Sequence, residues 1–296
     1  MRVPGNYRML RHIGIDIQTI VKAGMIDFLC PTNFMQTSWD MPHDRLRDEL
    51  GDEIAIYGVT ELWFNSLGYN TPQEKEKRCD RYTCANPPAL RGNAAGKLVL
   101  GADGIEQFNF FVADLSHKFE GLKMRSEYSA LKGIDDIEFL RGKEKHYTLA
   151  VTAVGHGCWV PPFDLPEFIV AILEPQWRRA FKLPMCSEPT DKRLELIVQV
   201  VIEKKETAPG IGVGFNSDWP VFECEGTDEL LFADKSYPRH VSKHQAYNFH
   251  FGVEMIKEGW NEIVVYNNNE PVKYPAREGG KSFKVVDIEL AVRKQA

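Results

Sequence analysis

Across its first half the chain alternates short apolar runs with amphipathic stretches, a pattern that predicts strands and helices in turn. "MRVP" reads as the end of a strand. From Arg8 to Ala23 the apolar residues Ile13, Ile17, Ile20 and Val21 recur at helical spacing, and Gly24 supplies a C-terminal stop. The run Ile26 to Cys30 is almost wholly apolar, as a strand covered on both faces requires, and opens into the loop "PTNFMQTSWDMP". His43 to Leu50 forms a second helix, and Ile54 to Val59 a further apolar strand running into Thr60, Glu61, Leu62, Trp63 and Phe64. The long connection from Asn65 to Ala102 holds a charged stretch, "PQEKEKRCDRY", then "PPALRGNAAGKLVLGA", whose small residues suit a helix packed closely on a sheet. "DGIEQFNFF" gives another strand and "SEYSALKGIDDIEFLRGKEKHY" a closing helix. Alternation of this kind implies parallel βαβ units, and residues 1–145 read as the last strands of a (β/α)8 TIM barrel.

From His146 the period changes. Short alternating strands, separated by Pro, Gly, Asn and Asp, predict an antiparallel, jelly-roll-like β-sandwich over residues 146–296, with Pro161, Pro162 and Pro166 in the linker. About eight segments qualify, from "HYTLAVTAV" to "FKVVDIELAVRK". In "MIKEGWNEIVVYN" an apolar pair leads into a Gly turn and a strand that begins with Asn261. The glycines of "PGIGVGFN", Gly210, Gly212 and Gly214, are not followed by a helix, so they belong to a strand bounded by a turn rather than to a nucleotide loop.

Net charge is a modest −6 with no Lys/Arg-rich run, which argues against nucleic acid as a partner. Apolar runs are too short for a membrane-spanning helix. Met1-Arg2 is followed at once by Val3-Pro4-Gly5 and not by the apolar core of a signal peptide, which leaves localisation open. The six cysteines, Cys30, Cys79, Cys84, Cys158, Cys186 and Cys224, are scattered and make no disulfide framework. The Cys79/Cys84 pair has no second pair nearby, and His240, His244 and His250 sit among alternating strand residues. Neither group is read as a metal site, and no cofactor is expected.

The segments "LRHIGIDIQTIVKAGMIDFLCPTN", "IYGVTELWF", "LRGNAAGKLVLGADGIEQFNFF" and "LKGIDDIEFLRGKEKHY" resemble a group of glycoside-hydrolase-like TIM-barrel proteins, many of them secreted. The resemblance implies that the strands here are the end of the fifth, then the sixth, seventh and eighth, with an N-terminal barrel half preceding "RVP". It places Glu61 at the end of strand seven, the nucleophile position of retaining glycosidases. Such catalysis needs a second carboxyl group about 5 to 5.5 Å away, which this alignment assigns to the absent half. Trp39 and Trp63 would offer faces for pyranose rings, while Asn33, Asp40 and Asn109 would bond hydroxyls at the strand ends. For Trp39 and Trp63 the alternative is capping of the barrel, and for Asp40 capping of the following helix. Glu106, in mid-strand, is read as reaching outward or pairing.

Two functions follow from different classes: a glycoside-hydrolase-like protein acting on a polysaccharide or glycoconjugate, and a non-catalytic carbohydrate-binding or structural protein with a degenerate barrel. A partial barrel leaves a parallel edge open, so self-association or a partner completing the barrel is a further expectation.

Overall fold

The computed structural model describes residues 1–5, 7–32, 37–61, 63–65, 82–84, 87–108, 110, 128–149, 171–203, 210–228, 231, 244–270 and 281–295. Its helices are α1 (Tyr7–His12), α2 (Ile17–Lys22), α3 (His43–Leu50), α4 (Pro87–Leu98) and α5 (Ile137–Leu140). Its strands in the first part are β1 (Arg2–Val3), β2 (Phe28–Pro31), β3 (Ala55–Glu61), β4 (Trp63–Asn65), β5 (Tyr82–Cys84) and β6 (Gly104–Phe108). Those that follow are β7 (Lys145–Thr148), β8 (Ala171–Leu173), β9 (Arg178–Met185), β10 (Leu194–Glu203), β11 (Ile211–Phe215), β12 (Glu225–Thr227), β13 (His244–Gly252), β14 (Gly259–Asn267) and β15 (Phe283–Lys294).

The first part is a parallel sheet whose spatial order, β1-β2-β3-β6, follows the order along the chain. Val3, Leu29, Ile54 and Ile56 on one face meet Leu10, Ile17 and Leu46 from the helices in a closed apolar cluster. Helix α4 packs on the same face, where the Lys97 stem crosses Gly58. The register sends Arg2, Cys30, Tyr57, Val59 and Glu106 to the other face. A sequential parallel order with helices on one side is the βα logic of the sequence, realised over four strands.

Several boundaries differ from the sequence reading. The helix expected over residues 8–23 is two helices. Gly14 turns the chain at φ +79°, and Asp16 caps α2 by accepting hydrogen bonds from the Thr19 amide (3.2 Å) and hydroxyl (2.8 Å). The strand expected to run from residue 54 through Phe64 ends as a parallel strand at Glu61, and Trp63–Asn65 pair instead with Tyr82–Cys84 in a separate antiparallel ribbon. The closing helix is a single 3-10 turn (Tyr128–Leu131) and the four-residue α5, separated by Gly133 at φ +66°.

The second part is antiparallel. One sheet runs β12-β13-β10-β15-β7, with β8 also on β15; a smaller sheet runs β11-β14-β9. Alternate residues from both meet in one core: Leu196, Val198, Val200, Phe249, Ile288 and Leu290 from the larger, and Phe181, Leu183, Val213, Phe215, Ile263 and Val265 from the smaller. Phe215 and Phe251 bridge the layers at 5.8 Å between ring centroids. Asn261 ties the turn that feeds β14, accepting from the Lys257 amide and donating to the Lys257 and Gly259 carbonyls, each at 2.8 Å.

The two parts meet through α4. Ala89, Leu90, Ala94 and Ala95 belong to the same core cluster as the sandwich residues. Gly92 and Gly96, one turn apart, present bare backbone to the sandwich. A Cβ at Gly92 would overlap the His146 carbonyl oxygen, and one at Gly96 would stand 2.7 Å from that of Pro184. Across the same junction Trp260 Nε1 donates to Asp44 Oδ2 at 2.7 Å, and Arg141 binds Glu258 at 2.7 Å and the Ser187 carbonyl at 2.6 Å. Strand β7 starts at Lys145, beside the boundary expected from the change of period.

Candidate functional site

The C-terminal ends of β2, β3 and β6 belong to neighbouring parallel strands, and residues 37–42 lead into α3. In that loop Thr37 and Ser38 are buried, Trp39 is 8 % exposed and His43 is fully buried. The Trp39 ring packs 6.2 Å from the ring of Tyr147 on β7, inside the core shared with the sandwich. Packing against the second part therefore holds Trp39, and its faces are not open to a ligand in this structure.

A buried polar network ties this loop to the end of β3. Asn93 Nδ2 donates to the Ser38 carbonyl at 2.9 Å and Lys97 Nζ donates to the same oxygen at 2.7 Å. Thr60, the residue before Glu61, donates its hydroxyl to Asn93 Oδ1 at 2.9 Å, and Lys97 Nζ reaches that oxygen too. Asn93 and Lys97 are spaced i, i+4 on α4, next to the Gly92/Gly96 stripe, so one helix face serves the sandwich and its neighbour serves the parallel sheet.

Burial dominates the electrostatics. It pushes the Lys97 ammonium down to about 7, against an opposing pull from Asp40. It also raises the half-buried Asp40 carboxyl above its ordinary value although Lys97 favours the charged form. His43 falls to about 3, first through burial and then through the Lys97 charge. Its Nδ1 lies 3.0 Å from the Met41 carbonyl, so that nitrogen carries the proton, and its Nε2 has no hydrogen-bond partner. The cluster is thus weakly charged: a lysine and a carboxyl both biased toward neutrality, with a neutral imidazole close by.

The opposite face of the sheet has its own group. Arg2 approaches Glu106 at 3.9 Å and lies 3.3 Å above the ring centroid of Phe108. The buried Cys30 thiol is pushed up to about 12 by burial and then by the Glu106 carboxylate beside it, which makes it a poor nucleophile. Glu106 therefore pairs, as expected, but on the face turned away from the helices.

Of the residues singled out in the sequence, Glu61 closes β3 in register with Phe108, and Trp63 lies in β4 opposite Cys84; only their backbones are described. Asn33 and Asn109 lie outside the described residues. Trp39 and Asp40 share one loop, joined to Thr60 through Asn93 and Lys97. Asp40 does not cap α3: the N-cap position is Pro42, with no side-chain cap bond. Thr60, Asn93, Lys97 and His43 were not singled out beforehand, nor were Arg2 and Cys30 as neighbours of Glu106. The usable signal was two polar residues four apart in the otherwise small-residue helix "RGNAAGKL".

Among the described residues no group of three or more His, Cys, Asp or Glu side chains is placed to hold a metal ion. His250 instead faces Glu195 at 3.2 Å, His240 lies outside the described residues, and of His244 only the backbone is described. No helix among them is long and apolar enough to cross a membrane. The sequence matches no known family model, and a search of characterised proteins returns no match.

Proposed function

We propose that this chain is a glycoside-hydrolase-like protein acting on a polysaccharide or glycoconjugate, with Glu61 as its catalytic carboxylate. The observation that carries the reading is the sequential parallel sheet β1-β2-β3-β6 with helices on one side, because folds of this kind work at the C-terminal ends of their strands and Glu61 ends β3. The Ser38–Lys97–Asn93–Thr60 network supports it by fixing the approach of the β2 loop to that strand end. In the proposal Glu61 attacks the anomeric carbon, or activates water if the configuration inverts. Glu106 receives no part in proton transfer, since it stands two residues before the strand end and against Arg2. The partner carboxyl is then carried by a strand outside these four. Asn33, Asp40, Trp63 and Asn109 remain proposed sugar contacts; Trp39 is set aside because its ring is buried.

A second reading, carbohydrate binding without cleavage, draws on aromatic side chains exposed on the sandwich: Trp219 is 85 % exposed and Phe222 45 %. Incubation with a panel of aryl glycosides and polysaccharides separates the two. New reducing ends support hydrolysis, and their absence across the panel leaves only binding.

A further inference from the structure

The glycines of "PGIGVGF" have a structural purpose that leads to a surface. After β11 the chain turns at Asn216 and folds back along its own strand, so that Val213 and Val221 exchange backbone hydrogen bonds of 2.9 and 2.8 Å. Phe222 then lies opposite Gly212, and a Cβ there would stand 2.5 Å from the Phe222 ring. The register continues from Gly212 to Tyr266 on β14 and Arg178 on β9, giving one row, Phe222, Gly212, Tyr266, Arg178, across the outer face of the smaller sheet. The Arg178 guanidinium is 6.0 Å from the centre of the Tyr266 ring. Four residues along, β14 and β9 carry Glu262 opposite Lys182, with the row Gly214, Val264 and Ala180 between.

The turn that completes this face is built rather than loose. Asn216 adopts the left-handed region at φ 50°, accepts from the Glu262 amide at 2.9 Å, and donates to Asn261 Oδ1 (2.7 Å) and the Met255 carbonyl (2.8 Å). The Tyr266 hydroxyl donates to the Asp218 carbonyl at 3.2 Å, and the next residue is Trp219, whose amide bonds Ser217 Oγ at 3.1 Å. Trp219 is nonetheless 85 % exposed and Phe222 45 %. Single exposed apolar residues need no explanation, but two beside a half-buried tyrosine, on a turn held by five side-chain hydrogen bonds, form a preorganised aromatic surface.

We propose that this face binds a neutral polysaccharide chain, with Trp219, Phe222 and Tyr266 as stacking surfaces and Arg178, Lys182 and Glu262 as partners for hydroxyl groups. The charge pattern selects this occupant. A protein interface has a core depleted of charge, whereas here Arg178 stands in the row that carries the rings and Glu262 and Lys182 form a second row on the same sheet face, so side chains of both signs flank the aromatic surface. The mixture of signs gives no field to hold an anionic polymer. Rings with polar groups at their margins match a sugar, which has an apolar face and a rim of hydroxyls.

The site does not depend on Glu61, so the two proposals fail separately. The test is native affinity electrophoresis of the full chain in gels containing mixed-linkage β-glucan, xylan or galactomannan, together with sedimentation at several concentrations. Retardation by at least one of these polymers is expected, weakened roughly tenfold in Trp219→Ala and in Phe222→Ala and lost in the double variant. The high exposure of Trp219 keeps the fold out of its result. Retardation without any cleavage supports this surface while sinking the catalytic reading. Cleavage without retardation does the reverse. Retardation unchanged in the double variant overturns the proposal, as does a concentration-dependent dimer abolished by Trp219→Ala, which would assign the face to a second copy of the chain.

Discussion

Adding one methyl group to α4 at Gly96 will destabilise the chain, and adding it at Gly92 will do so more strongly. At Gly96 the new Cβ stands 2.7 Å from the Pro184 carbonyl oxygen, whereas ordinary contact begins near 3.4 Å, so helix and strand must part by about 0.7 Å (3.4 − 2.7). Neither side yields easily. Pro184 sits in β9, in register with Trp260 of β14, and on the far side of the helix the Lys97 stem already lies against Gly58. Overpacking of this kind costs ~1–3 kcal/mol, while the better helix propensity of alanine returns ~1 kcal/mol. The net loss is about 1 kcal/mol at Gly96. At Gly92, where backbone atoms of His146 are closer still, it is about 2 kcal/mol. Urea unfolding followed by far-ultraviolet circular dichroism and by tryptophan fluorescence measures it. Because α4 belongs to the core of both parts, the two probes are expected to report one transition with a lowered midpoint. Variants as stable as the parent, or more stable, would show that helix propensity alone governs these positions and that α4 is not wedged between the two sheets.

Other expectations concern buried charge. Glu188 and Lys145 form an ion pair of 2.6 Å with both side chains fully buried, and Glu188 also accepts from the Gly142 amide at 2.7 Å, so Glu188→Gln is expected to cost about 3 kcal/mol in urea unfolding. Replacing both partners with apolar residues of similar size will recover most of that loss. His43 and His146 are held down to about 3 and about 4, mainly by burial, below an ordinary value of 6.5. The unfolded chain therefore takes up protons that the fold refuses, and stability will fall as pH drops from about 6.5 toward 4. Unfolding curves at pH 7, 5 and 4 will show a shallower fall in His43→Gln. Lys97 acts in the alkaline window: its folded value of about 7 lies below the ordinary 10.5, so the unfolded state binds the extra proton between them. Stability contributed by this group rises from pH 7 to about 10, and Lys97→Met will remove that rise.

Much of the fold was legible because burial leaves a period in the sequence. The near-continuous apolar runs around Leu29 and Ile56 marked parallel strands covered by helices, and the apolar run through "RLELIVQVV", buried from Leu196 to Ile202, marked β10. Breaks set by backbone conformation were less visible. Gly14 and Gly133 divide what periodicity alone reads as continuous helices, and the strands ending at Glu61 and starting at Trp63 have different partners. Near the strand ends, sequence position identified the β2 loop and the end of β3 but not what joins them. Asn93 and Lys97 act there only because their helix is clamped on two sides, a tertiary fact that a local pattern does not carry. Trp39 shows the converse: an aromatic residue beside a strand end is buried against Tyr147 of β7 because α4 brings the sandwich there.

The proposed function rests most directly on one carboxylate. On whichever glycoside the panel shows to be cleaved, the decisive measurement is turnover by Glu61→Gln beside the parent protein, with substrate binding measured in parallel. Glutamine keeps the shape and removes the charge, so the account predicts turnover reduced by about 10³-fold, within the ~10²–10⁴-fold range for losing a group engaged in the reacting bond, with binding largely retained. Unchanged turnover would contradict it and return Glu61 to the structure of β3.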